Sequence, residues 1–173
     1  MAGSQDSTWG EETAAYTAAE VTANGLRYGA VFFSTKYNAK FIFLKNNDVV
    51  VIGPSVAVMA LGTDKTTFGC KLPTADEQEC FAGVRVVGAD NVPVSGGGWF
   101  QVTGSATFTY TSAGTAITVD NAISVKGTAG RVQKASATAF SASARFAIAQ
   151  AAQAVDATVV VCSILANVFG IGA

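Results

Sequence analysis

FAIAQAAQAVDATVVVCSIL, residues 146 to 165, admits two readings, and the fold class turns on the choice. As a helix, Phe146, Ala149, Ala152 and Val155 recur every three residues, a narrow apolar stripe able to pack on a sheet. As a strand, Phe146 and Ile148 point inward, AQAVDA holds a turn, and TVVVCSIL returns as a β-branched strand over residues 158 to 165. Local propensity favours the helix. The rhythm of the neighbouring sequence favours the strand pair, which is the expectation for residues 144 to 150, with a helical turn around AQAAQA left open.

That rhythm begins upstream. Residues 99 to 136 read WFQVTGSATFTYTSAGTAITVDNAISVKGTAGRVQKAS, with turn signals at Gly104, SAG, DN and KGTAG every eight to twelve residues, the punctuation of an all-β sandwich or barrel. Thr107, Thr109 and Thr111 fall on one side of a strand while Phe108 and Tyr110 fall on the other, as in a sheet with one covered face. Further back, YGAVFFSTKYNAKFIFLKNNDVVVIG (28 to 53) carries aromatic and β-branched runs, and its KNND predicts a hairpin turn. PSVAVMALG (54 to 62) reads as a strand through Val56, Val58 and Ala60, and FAGVRVV as another with Phe81, Val84 and Val86 inward. Between them, residues 63 to 80 hold six charged residues and Pro73, which predicts an exposed connection. The fold expected is all-β: a small β-barrel or β-sandwich over residues 26–165, with an extended N-terminal arm (1–25), an apolar C-terminal tail (166–173) and room for one short helix in TAAYTAAEVTA.

Half of the 173 residues are apolar and 13% are charged, against about a quarter charged in ordinary soluble domains. Much of the surface must therefore be Ala, Ser, Thr and Gly. Eleven basic and twelve acidic side chains are interspersed to a net charge of −1, so no field draws in nucleic acid or an anionic membrane, and little keeps identical copies apart. The apolar stretch from Ala157 to Ala173 is 17 residues at most, interrupted by Thr158, Ser163 and Asn167, and falls short of the roughly 20 that span a bilayer. MAGSQDSTWGEE places acids where a secretory signal needs a basic patch and an apolar run.

Chemistry is hard to find. The chain has no histidine, the commonest general base, and no SxxK or GxSxG. Gly96–Gly98 lacks the Lys-Ser/Thr of a phosphate loop and reads as a turn, and Asp76, Glu77 and Glu79 fit no calcium-loop spacing. Cys70, Cys80 and Cys162 have no CxxC spacing, so they read as free thiols, with a Cys70–Cys80 disulfide left open. No catalytic residue, cofactor or metal ligand is assigned, and an enzyme is not expected.

FAGVRV (81 to 86), AITVDNAISV (116 to 125), GTAGRVQKAS (127 to 136) and FAIAQAAQAVDATVVVCS (146 to 163) together resemble the tailed-phage capsid decoration proteins, also called cement proteins. The chain departs from that pattern at Asn121, at the glycine-free turn of Val155 to Ala157, and throughout its first 80 residues. The resemblance implies a compact β-barrel or sandwich, made in the host cytoplasm, that sits as a homo-oligomer, often a trimer, on the exterior of the virion capsid. Its partners would be the major capsid protein and its own copies, and it would use no cofactor. The residues expected to make assembly contacts are Trp9 and Tyr16 on the arm, Trp99 beside the glycines, and Leu165, Val168, Phe169 and Ile171 in the tail, which would forfeit several kcal/mol if left wet at about 25 cal/mol per Å². Two alternatives stand beside this reading: a receptor- or glycan-binding tip module of a tail fibre, using loops 62–80 and 95–100 with Trp99 exposed, and a main shell subunit whose arm donates a strand.

Overall fold

The structure, a computed structural model, describes residues 12–74, 81–110, 116–126, 130–135, 145–154, 159–165, 167 and 169–172. It is all-β, with two sheets and two short helices among the described residues. The first sheet runs β2 (Val31–Ser34), β3 (Ala39–Asn46), β7 (Gly97–Gln101), β6 (Phe81–Val84), β4 (Ala57–Met59), with β1 (Ala15–Tyr16) added to β7 and β5 (Gly69–Cys70) to β3. The second runs β10 (Val132–Lys134), β9 (Ala122–Val125), β11 (Ala147–Ala149), β12 (Val159–Ile164), β8 (Gly104–Thr109). Helix α1 (Ala18–Ala23) lies within the stretch expected to hold one and is closed by a capping box, in which Thr17 Oγ1 accepts from the Glu20 amide and Glu20 Oε2 accepts from the Thr17 amide. Helix α2 (Asp64–Thr67) is a single turn.

The alanine-rich half of residues 146 to 165 is a strand, β11 (Ala147–Ala149). β11 lies between β9 and β12, pairing Ala147 with Ile123 and with Ile164. Its phase differs from the expected one: Ala147 and Ala149 are buried while Ile148 is half-buried. The inner face meets a core already filled by Phe81, Phe108 and Phe146, and a methyl group is what fits there.

Three other expectations change. The hairpin turn is Thr35–Asn38, with Asn38 left-handed at φ 47°, and not KNND. After β3 the chain makes a loop, because Asn46 is buried and its side-chain amide donates to the carbonyls of Val50 (2.9 Å), Val92 (3.1 Å) and Pro93 (3.2 Å). The connection at 63–80 is not all exposed: Asp64 and Cys70 are buried, and β5 pairs in parallel with the end of β3; residues 75–80 lie outside the described residues. Gly97 and Gly98 are buried strand, not turn, since a Cβ at Gly97 would come within 2.6 Å of the Phe43 ring, and one at Gly98 within 2.6 Å of Val92.

The two sheets share one plan. In each, a long strand (β3 or β8) leads to a bridging residue (Ile52 or Ile117), then a non-glycine residue at positive φ (Ser55 at 57°, Asp120 at 67°), then a strand (β4 or β9). A short strand then runs parallel to the end of the first, through Asn46↔Cys70 in one unit and Tyr110↔Val132 in the other. The next strand (β6 or β11) leads to a second bridging residue, Val92 or Gln153, which pairs with the first, and then to the closing strand, β7 or β12. Even a loop bond repeats: Ser55 N–H donates to Arg85 O, and Asp120 N–H to Ala149 O. The described residues within 39–101 and within 104–164 thus follow one topology twice.

Packing follows from this. Ala57, Phe81 and Val84 of the first sheet meet Phe108, Ile123 and Val160 of the second in a shared core. The first sheet is covered on its other surfaces too: Trp99, Phe41 and Phe43 lie under the N-terminal segment through Tyr16, Val21 and Tyr28, and Ile42, Leu44 and Phe100 lie under Phe68, Leu72, Phe169 and Ile171. That double cover explains why β4, β6 and β7 are buried at every position.

Candidate assembly surfaces

Two stretches of sequence gather exposed large apolar side chains, one on loops and one on a strand. On the loop after β3, Val49 is 88% exposed, followed by Val50 and Val51 at about half, and Val94 on the loop before β7 joins them at 47%. The two loops are drawn together by the Asn46 side chain and by the Ile52–Val92 bridge, and Asp48 fixes the turn by accepting from the amides of Val49 (2.7 Å) and Leu72 (2.7 Å). The second stretch is β2, at one end of the first sheet's strand order, with Val31 and Phe33 both about half exposed.

The N-terminal segment is held by a residue the sequence reading passed over. Arg85 is fully buried. Its Nη1 donates to Trp99 O (2.7 Å) and Glu12 O (3.3 Å), and its Nη2 to the carbonyls of Thr13 (2.7 Å), Asp90 (2.8 Å) and Ala14 (3.3 Å). Burial lowers its pKa to about 10, partly offset by Asp90, so the guanidinium stays charged at neutral pH. Tyr16 packs edge-on against Phe43, with ring centroids 6.0 Å apart. Ser34 Oγ also donates to the Glu12 carboxylate.

The residues expected to make assembly contacts separate. Trp99 is 1% exposed, edge-on to Phe32, so its ring is core and is not open to stack on a sugar. Tyr16 is half-buried on the chain's own sheet. Leu165 is exposed at 61%, whereas Phe169 and Ile171 fold back onto the first sheet, Phe169 beside Phe68 at 5.6 Å between centroids. Trp9 and Val168 lie outside the described residues. Cys70 is a free, buried thiol, so it forms no bridge to Cys80, which lies outside the described residues; Cys162 is free and buried as well. Burial pushes the Cys70 thiol well up, and the Cys162 thiol to about 12, so neither is a ready nucleophile.

Among the described residues no three His, Cys, Asp or Glu side chains converge as a metal site would require, and no helix is long and apolar enough to cross a membrane. A cavity between Tyr37, Val86, Val87, Gln101, Ser105 and Thr107 measures about 100 Å³, below the roughly 300 Å³ at which ligand pockets begin. No family model and no curated protein matches the chain. Among solved structures it is similar to the head fiber gp8.5 N base in bacteriophage phi29, at 10% identity, over 72% of this chain and 93% of that one, with a TM-score of 0.46. A likeness that distant carries no function across.

The tail is the simplest of these contacts to test. Asn167 folds it into a turn, its Oδ1 accepting from Phe169 N (3.1 Å) and Ile171 N (3.3 Å), and Lys40 Nζ donates to Gly172 O (2.5 Å). Deleting residues 166–173 is expected to cost about 2 kcal/mol, from two apolar side chains returned to water, read as a lower urea midpoint. An unchanged midpoint refutes the docked tail.

Proposed function

We propose that this chain is a structural virion protein that binds the outer surface of an assembled phage capsid and stabilises it, as a decoration or cement protein does. The observation that carries the reading is the valine patch of Val49, Val50, Val51 and Val94, held in solvent by a buried asparagine and a pair of bridged loops. A chain with few charges and many Ala, Thr and Gly residues loses little on desolvation, and the sequence pieces that resemble the decoration proteins point the same way. Binding to the finished lattice stabilises it by mass action, and many weak sites acting together retain the protein; no reaction is needed.

The test is co-sedimentation of the purified chain with undecorated capsids. Wild type is expected to pellet with the shells, and Val49→Asp with Val50→Asp is expected to weaken binding by about a hundredfold, since each buried valine is worth roughly 1.5 kcal/mol or more. Glycan or host-cell binding without shell binding would overturn the reading in favour of a fibre tip, and assembly of the chain alone into shells would favour a main shell subunit.

A further inference from the structure

The outer edge of β2 carries two residues whose backbone N–H and C=O face away from the sheet. β2 lies against β3 with Phe33 opposite Lys40 and Val31 opposite Ile42. The Lys40 amide and carbonyl are both turned away from β2: its N–H donates to Thr103 Oγ1 (2.9 Å), and its C=O accepts from Val102 N (2.9 Å). In an antiparallel ladder, hydrogen-bonded and non-bonded pairs alternate. Phe33 and Val31, two residues apart, are therefore the residues whose own N–H and C=O point out of the sheet, at the edge no described strand covers.

Natural sheets protect such an edge with lysine, proline or a bulge. β2 reads VFFS and has none of them. Its two outward residues are instead the ones with exposed side chains, Val31 at 48% and Phe33 at 54%.

We infer that two copies of this chain join through β2, antiparallel about a twofold axis at Phe32, to make one continuous sheet. The register makes the edge complementary to itself. A twofold through Phe32 places Val31 opposite Phe33 of the other copy and Phe33 opposite its Val31, so both outward residues exchange N–H and C=O in two closed pairs. The same register sets an exposed ring against an exposed valine on both sides of the axis. A net charge of −1 opposes the approach only weakly. The edge is four residues long, so the dimer is weak in solution and gains strength where copies are already held side by side. The inference is independent of capsid binding.

Sedimentation velocity over rising concentration, to about 1 mM, is expected to show a monomer–dimer equilibrium. Val31→Pro removes an outward donor and leaves the β2–β3 bonds in place; with its circular dichroism spectrum unchanged, it is expected to abolish the dimer, as is Phe33→Lys. Val119→Lys, an exposed valine elsewhere on the surface, is expected to leave the dimer intact. Amide exchange separates an edge contact from a general loss of structure: the Val31 and Phe33 amides exchange fast in dilute protein and slow in the dimer. Three results would overturn the inference. They are a monomer at every concentration, a dimer or trimer indifferent to Val31→Pro and Phe33→Lys, or Val31 and Phe33 amides already protected in the dilute monomer, which would put another part of the same chain on the edge.

Discussion

Replacing Arg85 with alanine is expected to destabilise the chain by about 4 kcal/mol, because it strips the partner from buried carbonyl oxygens and leaves a space their own chain cannot close. In a chain of this length that is a fall in melting temperature of roughly 10 °C. The duplicated topology explains why so much rests on one side chain. Arg85 stands where the second unit has Ala149: the amides of Ser55 and Asp120 bond their respective carbonyls. In the second unit the next amide, Gln150 N–H, closes onto Val161 O. In the first unit the equivalent carbonyl, Trp99 O, accepts from the Arg85 guanidinium instead, and the space beside β7 is taken by β1, pairing Ala15 with Gly98 and Tyr16 with Gly97. The guanidinium then reaches across to the carbonyls of residues 12 to 14. Arg85→Lys keeps the charge but offers three donors from one point, and about 2 kcal/mol of the loss is expected to remain. The local readout is amide exchange: the Asp90 amide, which donates to Thr13 O at 2.8 Å, should open first in Arg85→Ala, before amides of β12. A loss under about 1 kcal/mol, or exchange raised evenly along the chain, would mean that the arginine does not hold the N-terminal segment.

Nothing in FAGVRVV announces this. Alternation through Val84 and Val86 puts Arg85 on the solvent side, and the acceptors that keep it buried lie five residues on at Asp90, further on at Trp99, and far back at residues 12 to 14. Period-two reasoning assumes one wet face, and the first sheet has none along β4, β6 and β7. Gly96–Gly98 reads as a turn for another reason: a run of glycines carries no alternation to mark the buried strand that Gly97 and Gly98 form. Where one face is covered more lightly the pattern reads through: Phe108 and Tyr110 are buried and Thr107 and Thr109 half-buried, as the alternation requires.

The duplication, by contrast, did leave a trace in the residues. Ile52, Val92 and Ile117 each stand three residues before a left-handed Ser55, Ser95 or Asp120, and five before the strands that start at Ala57, Gly97 and Ala122. Gln153 and Asp156 repeat the first spacing in sequence. An apolar residue followed at three by Ser or Asp is too common to stand out among so many small residues, and the two units share the turn while differing in what packs around it.

The strand phase at the chain's second unit supplies the other large effect. Phe146→Ala is expected to cost about 4 kcal/mol, since its ring lies 4.0 Å from that of Phe81 in near-parallel stacking and 5.4 Å from that of Phe108, and so joins a strand of each sheet. Phe146 is inward in the helical reading as well, so the position that separates the two readings is its neighbour. In the strand Ala147 is fully buried between β9 and β12, and Ala147→Leu is expected to cost about 2 kcal/mol by overpacking a site with room for a methyl group. A helix with its stripe at Phe146, Ala149 and Ala152 would turn Ala147 toward solvent and tolerate the leucine. Urea midpoints for Phe146→Ala and Ala147→Leu settle the matter: both should fall, and a Ala147→Leu chain as stable as wild type would mean that the alanine-rich segment is not the central strand of the second sheet.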